Sequence, residues 1–148
     1  MQPLGKDLRD LLVLLEQHDV RFLVVGGFAV AAHGLPRYTK DLDLWVECSE
    51  VNAIRLVAAL EMFGFASVGL TVADFTTPDM VIQLGYEPNR VDFLTGISGV
   101  AFEDAYPNRM TSSFDGLAIP IIDKASLIAN KRASGRAQDL ADVENLDR

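Results

Sequence analysis

Arg21-Phe-Leu-Val-Val-Gly-Gly27 and, after an intervening short segment, Asp41-Leu-Asp-Leu-Trp-Val-Glu47 are the stretches that decide the fold. The first is a short, almost wholly apolar run that stops at two glycines, the pattern of a buried strand feeding a tight turn. The second alternates acid and apolar residue up to Trp45, the period of a strand with one wet and one dry face, so Leu42 and Leu44 are expected in the core. Between them, Phe28 to His33 reads as a short helix closed by Gly34, with Pro36 preventing its return.

Working outward, Leu4, Leu8, Leu11, Leu12 and Leu15 recur at helical spacing and predict an amphipathic helix ending near Gln17 or His18. Val51 to Phe63, closed by Gly64, predicts another helix. Met80 to Leu84 and Arg90 to Leu94 are strand-like runs joined by a loop from Gly85 to Asn89, and they are expected to pair antiparallel. Leu117 to Ile122 predicts a further strand. Asp123 then caps a helix running to about Ser134 with Gly135 as terminator, and Leu140, Val143 and Leu146 give a last helical face. The expected class is α/β (α+β): a mixed β-sheet with flanking helices, one domain over 1–148 with C-terminal helices from about 123.

Composition narrows the function. The 148 residues are 49% hydrophobic and 23% charged, which fits a folded globular chain. Leu11 to Leu15, between Asp10 and Glu16, is far shorter than the ~20 apolar residues of a membrane span and unlike a signal peptide. A cytoplasmic protein without membrane contact is expected. The single cysteine, Cys48, cannot form an internal disulfide and has no partner suited to zinc. The net charge of −8 repels phosphate backbones, so long nucleic acids are excluded as partners.

The candidate chemistry lies on three aspartates and two glycines. With 21 acids in the chain, about three acid-x-acid pairs arise by chance, so Asp41 and Asp43 gain meaning only from context. On a strand they project from one face roughly 6.5 Å apart, where they either form a solvated edge or bracket a pair of metal ions used in phosphoryl chemistry. Gly26 and Gly27, between strand and helix, either make a plain turn or let the backbone approach a phosphate. Asp92 sits among Val91, Phe93 and Leu94, where an acid is costly unless it faces water or meets a cation. Three carboxylates and a triphosphate suit the oxygen preference of magnesium. Lys124, Lys131 and Arg136 either neutralise phosphate charge or form a solvated helix face. Arg37 and Thr39 either touch phosphate or organise the loop before the acids. His33 reads as a packed residue closing its helix, and Trp45 either lines a base pocket or packs in the core.

Val25-Gly-Gly27, then Arg37-Tyr-Thr-Lys-Asp-Leu-Asp-Leu44, then Asp92, resembles the polymerase-beta-type nucleotidyltransferase superfamily, nearest its minimal nucleotidyltransferase and AbiEii-like toxin branch. The resemblance implies the nucleotidyltransferase fold and transfer of a nucleoside monophosphate from a nucleoside triphosphate (NTP) to an acceptor hydroxyl. In that pattern Gly26 and Gly27 hold the triphosphate, Asp41 and Asp43 ligate two magnesium ions, and Asp92, also a metal ligand, helps activate the acceptor. Gly27 stands where many relatives carry serine. The acceptor it implies is a protein side chain, a tRNA end or a small molecule, within a toxin–antitoxin system. A partner protein or a second copy would help choose the acceptor. The alternative is a catalytically silent interaction module or antitoxin component of the same fold.

Overall fold

The computed structural model describes residues 5–86 and 89–147. Helix α1 (Lys6–Gln17) buries Leu8, Leu11, Leu12 and Leu15, as the spacing requires. Leu4 of the expected helical face and residues 87–88 of the expected hairpin loop lie outside the described residues. Strand β1 (Phe22–Val25) is buried at all four positions and runs directly into α2 (Gly26–Ala32). That helix starts at the first glycine rather than at Phe28. Gly26 takes φ +69°, a turn that a side chain would strain, so strand becomes helix without an intervening loop. At its end His33 donates from Nε2 to the carbonyl oxygen of Ile122 at 2.8 Å, the packed role expected of it.

Strand β2 (Asp41–Val46) leads to α3 (Glu50–Leu60), whose first turn is capped by the Ser49 hydroxyl accepting from the Asn52 N–H. The α form stops at Leu60, short of Phe63. A wide turn, Glu61–Phe65, follows, in which Gly64 at φ 118° redirects the chain. Then come α4 (Val72–Thr76), closed at its start by a Thr71–Asp74 capping box, and strands β3 (Val81–Leu84) and β4 (Arg90–Leu94). A short helix α5 (Phe102–Ala105) precedes strands β5 (Met110–Phe114) and β6 (Leu117–Ile121). The chain closes with α6 (Lys124–Ser134), capped by Asp123 and ended by Gly135, and α7 (Ala137–Leu146).

The sheet order is β3-β4-β2-β1-β6-β5. Strand β1 runs antiparallel to β2 and parallel to β6, β2 runs parallel to β4, and the outer pairs β3/β4 and β5/β6 are antiparallel. The sheet is mixed, as expected. Leu23, Leu42, Leu44, Val46 and Phe93 are fully buried along its middle, and Phe75 meets Phe93 edge-on with ring centroids 6.0 Å apart. Phe93→Ala should cost about 3–5 kcal/mol in a urea unfolding curve because those packed neighbours cannot close the hole.

Two elements differ from the sequence expectation. Strand β5 comes from Met110-Thr-Ser-Ser-Phe114, a polar stretch on the sheet edge that carries no apolar run to announce it. On α7 Leu140 points to solvent, while Asp139, Asp142, Val143 and Leu146 turn inward. The two acids take the buried face because basic side chains meet them there. Among the described residues no helix is long and apolar enough to cross a membrane.

Candidate active site

Strand register builds the site. Because β2 and β4 are parallel neighbours, Asp41 lies beside Arg90 and Asp43 beside Asp92, and residues two apart on one strand share a face. Three carboxylates and one guanidinium therefore occupy a two-by-two block. The block is unbalanced. Burial first, then the charges of Asp92 and Asp41 and a hydrogen bond shared with Asp92, push the Asp43 carboxyl up to about 7, with Arg90 acting the other way. A carboxyl so placed has strong reason to take up a proton or a cation.

Arg90 reaches Asp92 with Nε 3.3 Å from Oδ1 and an NH group 3.5 Å from Oδ2. Its Nε is also 3.7 Å from Asp41 Oδ1, too far for a hydrogen bond, and that buried oxygen has no hydrogen-bond partner. In this arrangement no three His, Cys, Asp or Glu side chains among the described residues stand grouped as a ready metal site.

The glycines shape the space above. A Cβ on Gly26 would run into the Asp43 carboxylate, so the bare backbone and its positive φ are both required there. A Cβ on Gly27 would come 2.9 Å from Thr39 Cβ, which leaves no room for a side chain unless Thr39 moves. Thr39 in turn donates its hydroxyl to the Asp41 carbonyl at 3.0 Å and so fixes the entry into β2.

A cleft of about 800 Å³ opens over this block. Gly26, Asp43 and Asp92 line it, with Asp79 and Ser98 from the loops around β3 and β4, and Asn130, Ser134 and Arg136 from the C-terminal helices. Of the residues singled out in the sequence, Gly26, Asp43, Asp92 and Arg136 meet in this cleft. Asp41 and Arg90, two residues before Asp43 and Asp92 on the same strands, and Gly27 do not line it.

The other basic candidates are placed elsewhere. Arg37 forms a two-pronged ion pair with Asp142 at 3.0 and 2.6 Å, and Lys131 lies 3.2 Å from Asp139 and 2.9 Å from Asp142. Neither lines the cleft. Arg136 straddles both regions, donating from Nε to Asp139 at 2.8 Å while its side chain stays 81% exposed. Burial alone would push the Asp142 carboxyl up, but hydrogen bonds from Arg37, Lys131 and Gln138 hold it at about 2. Lys124 is exposed at the start of α6 and does not reach the cleft. Trp45 is 1% exposed and packs edge-on against Phe102, which settles it as core.

Arg90, Asp79, Ser98, Asn130 and Ser134 are polar residues in or beside the site that sequence reading missed. Only Arg90 carried a signal: it stands two residues before Asp92 and so shares its face on a strand.

A half-buried pair of acids thus lies on neighbouring parallel strands, facing a glycine turn. Over residues 5–148 the chain matches the family model described as "Nucleotidyl transferase of unknown function (DUF2204)". The chain belongs to this nucleotidyl transferase family. It is thereby a transferase. Among solved structures, the lincomycin-bound lincosamide antibiotic adenylyltransferase LnuA is 15% identical, with 99% of this chain and 98% of that one covered and a TM-score of 0.55. The protein TM1012 from Thermotoga maritima is 16% identical over 95% of this chain and 88% of its own, with a TM-score of 0.59. The antibiotic-resistance factor ANT(2'')-Ia is 13% identical over 95% and 80%, with a TM-score of 0.54. At these identities the likeness is one of fold. No protein of curated function matches the chain in sequence.

Proposed function

We propose that this nucleotidyl transferase moves a nucleoside monophosphate from an NTP to an acceptor hydroxyl, with Asp41, Asp43 and Asp92 as ligands for two magnesium ions. The observation that carries the reading is the Asp43–Asp92 pairing across β2 and β4 beneath Gly26. Two features of the chain fit the metal: the buried Oδ1 of Asp41, which accepts no hydrogen bond, and an Asp43 carboxyl raised to about 7 by burial first and then by its acidic neighbours. Hard oxygen ligands and a triphosphate are what magnesium prefers. When bound, magnesium neutralises the phosphates and the charge that develops on the leaving pyrophosphate.

The remaining steps belong to the chain's own side chains. Gly26 leaves the space over Asp43 clear for the triphosphate, Gly27 lets the Thr39 loop pack close behind it, and Arg136 at the cleft rim offers its guanidinium to phosphate oxygens. Asp92 accepts the acceptor's proton as the acceptor oxygen bonds to the α-phosphorus. The bond from that phosphorus to the bridging oxygen breaks, and pyrophosphate leaves. Arg37 and Lys131, committed to Asp139 and Asp142, fasten α7 and the loop before β2 and do not touch the nucleotide.

The cleft of about 800 Å³ falls in the ~300–1,000 Å³ range of small-molecule sites, and the net charge of −8 works against long nucleic acids. A small hydroxyl-bearing molecule is the acceptor class it fits, and the chain works in the cytoplasm, where NTPs are plentiful. The test is incubation with each α-labelled NTP, magnesium and cell extract. The wild type should transfer label, and a chain carrying both Asp41→Ala and Asp43→Ala should not. Equal labelling by both would remove the catalytic claim.

A further inference from the structure

We infer that Arg90 is a resident cation of the carboxylate block and competes with a divalent ion for the oxygens of Asp92 and Asp41. The inference rests on the nucleotidyl transfer reading and names the residue that governs entry to the same site.

The argument starts from register. Arg90 is the cross-strand neighbour of Asp41 and lies two residues from Asp92, so both carboxylates fall within reach of one guanidinium. It engages both oxygens of Asp92, through Nε to Oδ1 at 3.3 Å and through an NH group to Oδ2 at 3.5 Å. Toward Asp41 it comes only to 3.7 Å, close enough to lower the energy of the charge but too far to give Oδ1 a hydrogen bond. One cation is thus spread over two acids and fully satisfies neither.

Magnesium needs ligand oxygens at about 2.0–2.1 Å in octahedral directions. Each Asp92 oxygen that accepts from the guanidinium keeps a lone pair for an ion, but a positive charge 3.3–3.5 Å away opposes a divalent cation there. With Arg90 in place, the block of three acids carries roughly one charge less than its acids alone would give, and the folded chain tolerates a half-buried acid pair it would otherwise resist. Arg90 thus makes the free chain more stable and holds the divalent ion to weaker binding.

The experiment uses the full chain and Mn2+ as the probe, titrated calorimetrically into wild type, Arg90→Gln and Arg90→Lys, with the melting temperature of each metal-free chain measured alongside. Arg90→Gln should bind Mn2+ about tenfold tighter than wild type and melt several degrees lower without metal, because one unit of competing charge has been removed at short range. Arg90→Lys keeps the charge but loses the fork and should fall between them. A residue that merely held the carboxylates in shape would give the opposite sign, and Mn2+ affinity in Arg90→Gln that is equal to or weaker than wild type overturns the inference while leaving the transferase reading intact. If neither chain binds Mn2+, the metal-dependent reading itself falls and takes the inference with it. Should Arg90→Gln not fold, the wild type alone decides: hydrogen exchange at the Arg90 Nε–H, followed by NMR, should speed up when Mg2+ saturates the chain. Unchanged exchange at saturation also overturns the inference.

Discussion

The β2–β4 carboxylate block and the α6–α7 ion network are both half-hidden clusters of charge, and they are balanced in opposite ways. In the network, Asp139 and Asp142 face Arg37, Lys131 and Arg136, and all four acidic oxygens receive a donor. In the block, Asp41, Asp43 and Asp92 share Arg90, and one oxygen of Asp41 receives no hydrogen bond. A saturated cluster is a fastening, since removing a buried member strands the others. A cluster with surplus acid is held at a cost that a ligand can relieve, which is the physical mark of a site.

The same substitution, aspartate to asparagine, should therefore behave oppositely in the two regions. Asp43→Asn or Asp92→Asn should lower label transfer by roughly a thousandfold or more in a single-turnover assay, because each removes a charge that acts on the transition state. In the same chain Asp43→Asn should raise stability by up to about 1 kcal/mol in urea unfolding, since it relieves an acid facing an acid. Asp142→Asn should do the reverse, costing about 3 kcal/mol, because Arg37 and Lys131 lose their shared partner. If both substitutions moved stability in the same direction, the contrast between the regions would fail.

Acid sharpens the comparison. The Asp142 carboxyl drops from its ordinary 3.8 to about 2 on folding. Its contribution is therefore complete above about pH 4 and is lost as the pH falls toward 2, on the order of 2 kcal/mol at most. Stability measured from pH 5 to pH 2 should fall less steeply in Asp142→Asn than in wild type.

Gly26→Ala places a methyl group against the Asp43 carboxylate in a backbone turn that side chains resist. It should cost about 1–2 kcal/mol of stability and cut activity more than stability alone explains. The smallest effect belongs to Arg136→Ala. Its guanidinium is exposed and the buried Asp139 keeps Lys131 and Ser134 as partners, so the loss should cost about 0–1 kcal/mol of stability while the KM for NTP rises a few-fold.

Much of this contrast could be read from the sequence, and what could not has a physical reason. The glycine turn and β2 announced themselves because apolar runs and strict alternation leave little freedom of interpretation. Asp92 stood out as an acid inside an apolar strand. Arg90 did not, because its importance comes from lying beside Asp41, a residue of a strand far away in sequence, and only the register of β2 and β4 supplies that. The basic residues near the C-terminus were visible, but sequence could not tell phosphate ligands from ion-pair partners. Arg37 and Asp142 are 105 positions apart. For the same reason Leu140 read as a core residue when Asp139 and Asp142 in fact occupy the inner face. Strand β5 escaped because an edge strand needs few apolar residues.

The most direct test is to crystallise the chain with Mn2+ and a non-hydrolysable NTP and to compute an anomalous difference map. Anomalous peaks should lie among the carboxylates of Asp41, Asp43 and Asp92, with the triphosphate passing Gly26. Manganese bound elsewhere on the chain, with the three carboxylates untouched, would contradict the account.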